Sequence, residues 1–171
     1  MILRRATLSD AAAIAELHTE NWRRFYRGAL SAAYLDDGIV AERNALWTSR
    51  LSAQRREQLI IVAESDSALL GFSCAFLDED PIWGSLLDNL HVAQQHHGRG
   101  IGKALLDATR GWLRDEHGRE LMYLWVLRDN ARARAFYEAQ GGRIEGKDLW
   151  NPPGGSPPVP KLRMVWGRGL T

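Results

Sequence analysis

Residues 92–103 read Val-Ala-Gln-Gln-His-His-Gly-Arg-Gly-Ile-Gly-Lys, and the apolar patterns around them predict a strand before this stretch and a helix after it. Every second residue from Gly98 to Gly102 is a glycine. Because glycine lacks a Cβ, the backbone N–H groups at the predicted helix start are left uncovered. Uncovered N–H groups and the helix dipole favour an anion there, and Arg99 and Lys103 add positive charge. The expected ligand is a diphosphate.

Two well-known phosphate-binding motifs do not match this stretch. The P-loop pattern fails because Gly98 precedes the Gly102-Lys103 pair by one residue too few, and Ala104 replaces the required Ser or Thr. The dinucleotide fingerprint fails because Lys103 stands where its third glycine belongs. A plain structural interpretation also remains open, in which Gly98, Gly100 and Gly102 only form a tight turn from strand to helix.

The rest of the chain alternates between strand and helix patterns, which is typical of an α/β fold. The predicted strands are Ile2–Ala6, Leu59–Ala63, Leu69–Phe76, Ser85–Val92, Leu121–Leu127, Arg143–Trp150 and Lys161–Trp166. The predicted helices are one beginning at Ser9 or Asp10, a stretch over Trp22–Leu51 with breaks at Arg27-Gly28 and Asp36–Gly38, and helices over Gly98–Gly118 and Asn130–Gln140. Asn151–Pro160 is rich in Pro and Gly, and we expect a long hairpin loop there because too little chain follows for a second domain. Residues 1–171 are therefore expected to form a single domain.

Composition limits the classes of function. The 171 residues are 45% hydrophobic and 25% charged, and 22 Lys and Arg against 21 Asp and Glu give little support to sequence-independent nucleic-acid binding. The single cysteine, Cys74, excludes an intrachain disulfide. No apolar run is long enough to cross a bilayer, and Met1–Ala6 lacks the features of a signal peptide. We expect a cytoplasmic protein with no membrane or nucleic-acid partner.

A second stretch adds to the glycine-rich turn. Residues 130–142 read Asn-Ala-Arg-Ala-Arg-Ala-Phe-Tyr-Glu-Ala-Gln-Gly-Gly, after the predicted strand that is apolar on both faces. With these residues the chain resembles the GNAT superfamily of acetyl-coenzyme A-dependent N-acetyltransferases. The family's [R/Q]-x-x-G-x-[G/A] turn is matched by His97–Gly102, its N-x-x-A-x-x-F-Y-x-x-x-G helix by Asn130–Gly141, and its W-x-x-x-Y-x-G opening by Trp22–Gly28. In two departures, His97 replaces Arg or Gln, and Gly142 stands where an aromatic residue usually follows.

The resemblance implies an α/β fold of the α+β type, with a mixed, mostly antiparallel sheet of about seven strands. Helices flank this sheet, and it splays near Val92 to admit coenzyme A. Acetyl-coenzyme A is the implied co-substrate, and no metal is implied. The implied coenzyme A contacts are Leu90, His91 and Val92 through strand backbone, His97, Gly98, Arg99, Gly100, Ile101, Gly102 and Lys103 in the turn, and Asn130, Ala133 and Tyr137 in the following helix.

Asp88 is the candidate general base. An alkylamine with a pKa near 10.4 is neutral in only about one molecule in two thousand at pH 7. A side chain that accepts the amine proton would therefore favour the reactive form. Alternation along the predicted strand places Asp88 on one face with Leu86, Leu90 and Val92, and desolvation there would raise the pKa of the carboxyl. The family commonly carries its base at equivalent strand positions. The alternative is that Asp88 caps a bulge or pairs with an arginine.

Tyr137 is the candidate general acid. By resemblance it matches the family's proton donor to the sulfur of coenzyme A. A phenol with a pKa near 10 can protonate a departing thiolate whose parent thiol has a pKa near 8.5. Without the motif, a core tyrosine beside Phe136 would be the preferred interpretation. Asn130 is expected to be a helix N-cap in either case.

The acceptor is expected to be a small-molecule primary amine that attacks the thioester directly. In the family the first helices and the loop before the last strand form the wall of the acceptor side, which implies a place there for Trp22, Tyr26 and Trp150. Asp36-Asp37 and Asp78–Asp80 supply carboxylates in loops expected nearby. An aromatic wall with acidic neighbours favours a cationic amine.

Two other functions remain open: acetylation of a protein N-terminus or lysine, and non-catalytic sensing of an acyl-coenzyme A. A homodimer is a possible assembly. We interpret His91, His96 and His97 as solvated loop histidines rather than metal ligands, because adjacent histidines rarely converge on one ion. Cys74 is interpreted as a buried thiol rather than a nucleophile.

Overall fold

In the computed structural model, which describes residues 1–53, 55–66 and 68–167, seven strands form one open sheet. The strands are β1 (Ile2–Arg5), β2 (Gln58–Ser65), β3 (Ala68–Asp80), β4 (Gly84–Val92), β5 (Met122–Leu127), β6 (Arg143–Trp150) and β7 (Val159–Trp166). Their order across the sheet is β1-β2-β3-β4-β5-β7-β6, and every neighbouring pair is antiparallel except β4 and β5. The helices are α1 (Ala11–Phe25), α2 (Ile39–Ser52), α3 (Ile101–Gly111) and α4 (Ala131–Ala139). The predicted mixed, mostly antiparallel sheet is confirmed.

The two cores lie on opposite faces of the sheet, because successive strand side chains point to opposite sides. On one face α3 packs over strand residues, and the buried set there includes Leu59, Ile61, Ala63, Leu105 and Leu106. On the other face α1 and α2 pack, and the buried set includes Ile14, Trp47, Ile60, Val62 and Phe72. Cys74 is fully buried in this second core, as the sequence predicts.

One predicted helix break is confirmed and one is wrong. α1 ends at Phe25, and a turn containing Arg27-Gly28 follows. The predicted break at Asp36–Gly38 is absent, because a π-helical turn over Tyr34–Gly38 runs directly into α2. In this turn the Ile39 N–H donates to the Tyr34 carbonyl five residues earlier. The wider turn accommodates the acidic pair without ending the helix.

The third predicted helix begins later than its sequence suggests. Gly98 and Gly100 adopt left-handed backbone conformations, with φ of +77° and +78°, so α3 starts only at Ile101. A second π-helical turn, Trp112–Glu116, extends it, and Gly118 follows with φ of +63°. The predicted glycine cap at this C-terminus is therefore confirmed.

The sheet separates between its two parallel strands. β4 and β5 pair only at Ser85 with Met122 and at Leu86 with Tyr123, and beyond these pairs the strands diverge. This is the predicted splay. β6 and β7 pair as an antiparallel hairpin, which confirms the hairpin loop predicted within Asn151–Pro160. In the part of the chain that the structure describes, no helix has both the length and the apolar character needed to span a bilayer.

Candidate active site

A cavity of about 920 Å³ lies where β4 and β5 diverge, with α1, α2, the glycine-rich turn and α4 around it. It brings together all but one of the residues that the sequence predicts for the site. Those lining it are Trp22, Tyr26, Asp88, Leu90, His91, Val92, His97, Gly98, Gly100, Ile101, Gly102, Lys103, Asn130, Ala133, Tyr137 and Trp150. Arg99 is the exception: it is exposed and does not line the cavity.

The glycine-rich turn presents an open backbone at the start of α3. A Cβ on Gly98 or Gly100 would meet nothing within 4 Å, so no side chain of the described residues covers this part of the turn. Gly100 is the N-cap of α3, and no side chain caps the helix there. The first N–H groups of α3 are therefore available to a ligand, and the helix dipole favours an anion beside them.

His97 fixes the turn to the end of β4. Its Nε2 lies 2.9 Å from the Val92 carbonyl oxygen, so the ring donates to the strand at the point where it ends. Its Nδ1 is buried and has no hydrogen-bond partner in residues 1–53, 55–66 and 68–167. His97, which stands where the family pattern has Arg or Gln, thus links the turn to the strand.

α4 approaches the turn closely. A Cβ on Gly102 would lie 3.3 Å from the Phe136 ring, so the glycine allows this helix to pack against α3. Asn130 caps α4, because its side-chain oxygen accepts from the Ala133 N–H at 3.1 Å. The N-cap prediction is confirmed.

Tyr137 is a buried residue on the cavity wall. Its ring packs edge-on against Phe136 at 5.1 Å and Trp166 at 5.8 Å. Burial raises the pKa of Tyr137 well above its usual value of 10, and Tyr26 raises it further. The hydroxyl therefore stays protonated at neutral pH, which is the state that a proton donor needs.

Gly142 has a structural reason for departing from the family pattern. A Cβ there would lie 2.7 Å from the Trp166 ring, so the ring from β7 takes the space of an aromatic side chain at this position. The Trp166 indole N–H also donates to the Gln140 carbonyl at 3.0 Å. Trp166 in this way closes the C-terminal end of α4 and supports Tyr137.

The surroundings predicted for Asp88 are wrong. The register between β3 and β4 shifts between Leu87 and Asn89, so Asp88 is the extra residue of a β-bulge and strict alternation fails there. Asp88 is exposed and forms an ion pair with Arg50 of α2, with 2.8 Å between Nη1 and Oδ2. The Asn89 side-chain oxygen accepts from the same nitrogen at 3.0 Å. Asp88 is thus a paired carboxylate at a bulge, which is the alternative that the sequence left open.

The histidines are also placed differently from the prediction. His91 is half-buried in β4 and packs against His18 at 4.7 Å and Phe72 at 5.2 Å. Burial lowers the pKa of His91 to about 4, with a further contribution from Arg43. His18 is fully buried, and its Nδ1 accepts from the Trp47 indole N–H at 3.0 Å. Burial lowers the pKa of His18 well below 6.5. His91 is thus a packed, neutral histidine within a strand and not a solvated loop residue as predicted.

His96 is half-buried in the short turn before the glycines, so solvation was overestimated for all three histidines. Within the described part of the chain, no group of three or more His, Cys, Asp or Glu side chains is arranged to hold a metal ion.

The three predicted acceptor-side aromatics form one cluster. Trp22 stacks on Tyr26 with ring centres 5.2 Å apart, and Trp150 meets both rings edge-on at 5.9 Å. They pack against buried Leu30, Leu35 and Ile39. We call Trp22, Tyr26 and Trp150 the aromatic wall.

The acidic neighbours predicted for this wall are absent from the cavity. Neither Asp36-Asp37 nor Asp78–Asp80 lines it. Asp78 pairs with Arg119 at 2.8 Å, and Asp80 accepts from two backbone N–H groups in the following turn. The charged lining residues are Arg43, Arg50, Asp88, Lys103, Arg132 and Lys161. The cavity is therefore mainly cationic.

Two arginines of α2, Arg43 and Arg50, line the cavity but were not predicted from the sequence. Arg43 and Arg50 are spaced so that both fall on the helix face that carries buried Trp47. The helical spacing of these arginines with Trp47 was the available sequence signal. It places two charged residues on an apolar helix face, and charged residues are rarely buried without a partner.

Comparisons with known proteins agree with this architecture. The profile of the Acetyltransferase (GNAT) family matches residues 12–142. An uncharacterized N-acetyltransferase, YhfO of Bacillus subtilis, is 31% identical over 82% of this chain and 89% of its own length. An aminoglycoside N(6')-acetyltransferase type 1 of Stenotrophomonas maltophilia is 29% identical over 70% of this chain and 71% of its own length.

Among solved structures, the PaiA N-acetyltransferase of Thermoplasma acidophilum in complex with coenzyme A has a similar fold. The TM-score is 0.77 at 21% identity, and the match covers 96% of each chain. The matched residues include nearly all of α1, the glycine-rich turn and α4. The two relatives are both named N-acetyltransferases. The chain is therefore an N-acetyltransferase of the GNAT family.

Proposed function

We propose that this enzyme transfers the acetyl group of acetyl-coenzyme A to the primary amine of a small molecule, by direct attack of the amine on the thioester. The observation that carries the proposal is the cavity between β4 and β5, which has the glycine-rich turn, the unpaired edge of β4 and Tyr137 on its walls. The proposal treats residues 1–171 as one acetyltransferase domain.

Coenzyme A binding is assigned to backbone groups. The diphosphate is assigned to the N–H groups at the start of α3, with His97 to Lys103 around it. Beyond Leu86, β4 has no paired strand on the side of β5, and the backbone of Leu90–Val92 is assigned to the pantetheine amides, apart from the Val92 carbonyl, which already accepts from His97 and Asn21. Asn130 and Ala133 are assigned to the coenzyme A arm from α4.

Acetyl transfer is proposed to be a direct displacement at the thioester carbonyl. The amine nitrogen attacks the thioester carbonyl carbon, a C–N bond forms, and the C–S bond breaks. The thiolate that leaves takes the proton of the Tyr137 hydroxyl, while the nitrogen gives up a proton to Asp88, directly or through water. Asp88 then releases its proton to solvent and Tyr137 takes one from solvent, so both residues return to their starting states. The net products are the N-acetyl amine and coenzyme A with its free thiol.

The small-molecule acceptor is supported by the form of the site. The aromatic wall closes one side of the cavity and gives it the size and the mixed lining of a small-molecule site. The relative from Stenotrophomonas maltophilia is named for acetylating an aminoglycoside, which is a small-molecule amine.

The test is a release assay for the coenzyme A thiol, with acetyl-coenzyme A and separate panels of small amines, amino acids, aminoglycosides and peptides. We expect amine-dependent release with members of the small-molecule panels and none with peptides. Faster release with a peptide than with every small amine would favour protein acetylation. Tight acetyl-coenzyme A binding without release in any panel would favour a sensor.

A further inference from the structure

Asp88 occupies a place in β4 where the sheet alone does not fix its side chain. It is the extra residue of the bulge between Leu87 and Asn89, so it has no paired residue in β3. On its other side β4 has no paired strand beyond Leu86, because β5 has diverged. The side chain is exposed and lines the cavity. A proton acceptor at such a place needs another group to hold it in a productive direction.

Arg50 of α2 supplies such a group. Its Nη1 lies 2.8 Å from Oδ2 of Asp88, and the same nitrogen donates to the Asn89 side-chain oxygen at 3.0 Å. The guanidinium carbon lies 5.1 Å from the ring centre of Trp47 and 5.1 Å from that of Phe76. Trp47 is fully buried, and the Arg50 side chain is itself only 19% exposed. Because two rings and two side-chain oxygens surround the guanidinium, it is a firm anchor for the carboxylate.

The ion pair leaves Asp88 able to accept a proton from a ligand. An ionised carboxylate has two oxygens with about four acceptor sites in all. Oδ2 is the oxygen in the ion pair with Arg50, and Oδ1 accepts no hydrogen bond from a residue in the ranges 1–53, 55–66 and 68–167. An amine in the cavity can therefore meet Asp88 without breaking its pair with Arg50.

The pairing also suits the charges of the reaction. An unpaired carboxylate in the cavity would stabilise the acceptor in its ammonium form, which does not attack the thioester. Arg50 offsets this attraction, because its positive charge lies 2.8 Å from the carboxylate oxygen. Once the nitrogen has bonded to the carbonyl carbon, its proton is far more acidic than that of a free ammonium ion. A carboxylate that is paired with an arginine is then a sufficient acceptor for this proton.

We propose that Arg50 is a positioning residue for acetyl transfer, which holds the Asp88 carboxylate at the bulge so that one of its oxygens stays open to the acceptor amine. This inference rests on the proposed function, because Arg50 acts only through Asp88. Arg50 itself neither gives nor takes a proton, and the amine proton goes to Asp88 as described above.

A double-mutant cycle tests this role with the best small amine from the thiol-release panels. Arg50→Met should lower kcat/KM at least tenfold, mainly through kcat, because the chemical step depends on the direction of the carboxylate. In the Asp88→Asn background the same substitution should lower kcat/KM less than twofold, since the group that Arg50 positions is gone. An arginine that only stabilised the fold would give the same loss in both backgrounds.

Three further variants make the result specific. Arg50→Lys keeps the positive charge and should recover part of the lost activity. Arg50→Gln keeps a polar side chain without the charge, and it takes the place of Arg50→Met in the cycle if calorimetry shows that Arg50→Met no longer binds acetyl-coenzyme A. Arg119→Met is the matched control, because Arg119 pairs with Asp78 at the same 2.8 Å but outside the cavity, and its kcat/KM should stay within twofold of the wild type.

Four outcomes would overturn the inference: a loss of equal size in both backgrounds, no loss in Arg50→Met, no recovery in Arg50→Lys, or wild-type activity in Asp88→Asn. Failure of the proposed function looks different, because then no amine of any kind promotes thiol release by the wild-type enzyme although acetyl-coenzyme A binds.

Discussion

Burial keeps the Tyr137 hydroxyl protonated, and this residue can be tested without disturbing its packing. Tyr137→Phe keeps the ring contacts with Phe136 and Trp166 but removes the proposed acid. We expect kcat to fall by roughly 10²-fold or more, with little change in acetyl-coenzyme A affinity. Steady-state kinetics and calorimetry measure the two quantities. Tyr123→Phe is the matched control, since Tyr123 is buried but does not line the cavity, and a similar fall in that variant would remove the assignment.

Asp88 is tested through the pH dependence of the reaction. If its carboxylate takes the amine proton, Asp88→Asn should lower kcat/KM and shift the limb of the pH–rate profile that rises toward basic pH. Asp115→Asn is the control, because that carboxylate pairs with Arg114 outside the cavity. An unchanged profile in Asp88→Asn would assign the residue a structural role at the bulge with Arg50.

The packed histidines His18 and His91 make the stability of the protein depend on pH. The pKa of His91 is lowered to about 4 in the folded protein, against 6.5 without burial. The unfolded chain therefore binds a proton that the folded chain does not between these values, so stability is full above pH 6.5 and is lost as the pH falls toward 4. From pH 7.5 to pH 5 we expect His91 to reduce the free energy of unfolding by about 2 kcal/mol.

Urea unfolding at the two pH values measures this loss, and His18 adds to it in the same direction because its pKa is also lowered. His91→Gln should reduce the difference between the two pH values. A wild-type protein that is as stable at pH 5 as at pH 7.5 would contradict the account of the histidine pair.

The glycine-rich turn is the element on which coenzyme A binding is proposed to depend. Gly100→Asp places a negative charge at the start of α3, where the proposal puts the diphosphate, and we expect acetyl-coenzyme A affinity to fall at least tenfold. Gly118→Asp is the matched control. Gly118 also has a left-handed backbone and open space around it, but it lies outside the cavity. An equal loss of acetyl-coenzyme A affinity in both variants, or no loss in Gly100→Asp, would contradict the assignment of the diphosphate site to this turn.

Most strands and helices of the sheet and its flanking layers could be predicted from local sequence patterns. Strands such as β2 and β5 were predicted from local apolar patterns, and α4 from its cap at Asn130 and its terminal glycines. The π-helical turn at Tyr34–Gly38 was missed because an acidic pair before a glycine is locally a stop signal, while the wider turn depends on the packing of the whole segment. Local patterns thus predict elements better than they predict how elements join.

The same limit applies to the site as a whole. The residues proposed to bind the cofactor could be named from the sequence because they lie in two short motifs, His97–Gly102 and Asn130–Gly141, and most of the named residues line the cavity. On the opposite side, Trp22, Tyr26 and Trp150 could be named, but Arg43 and Arg50 could not, because their position depends on how α2 packs against β4. The bulge at Asp88 and its pairing with Arg50 join residues that are far apart in the sequence, and neither has a local signature.

At the scale of the molecule, one open sheet is divided by the divergence of β4 and β5, and the divergence creates the cavity. α3 and the glycine-rich turn lie on one side of the cavity. α1 and α2 lie on the other side, where Arg43, Arg50 and the aromatic wall line the cavity. The groups proposed to bind coenzyme A and those proposed to bind the acceptor therefore belong to different elements of the fold. This arrangement suits direct transfer, because the acetyl group need not be held by the enzyme between them.

Direct transfer is tested most directly by the stoichiometry of the reaction in the wild-type enzyme. The measurement follows release of the coenzyme A thiol with and without a primary amine, and mass spectrometry follows the acetylated amine and the intact enzyme. The account predicts that release depends on the amine, with one acetylated amine for each thiol and no acetyl group on the protein. Thiol release at the same rate without amine, or an acetyl group that accumulates on the enzyme, would contradict it.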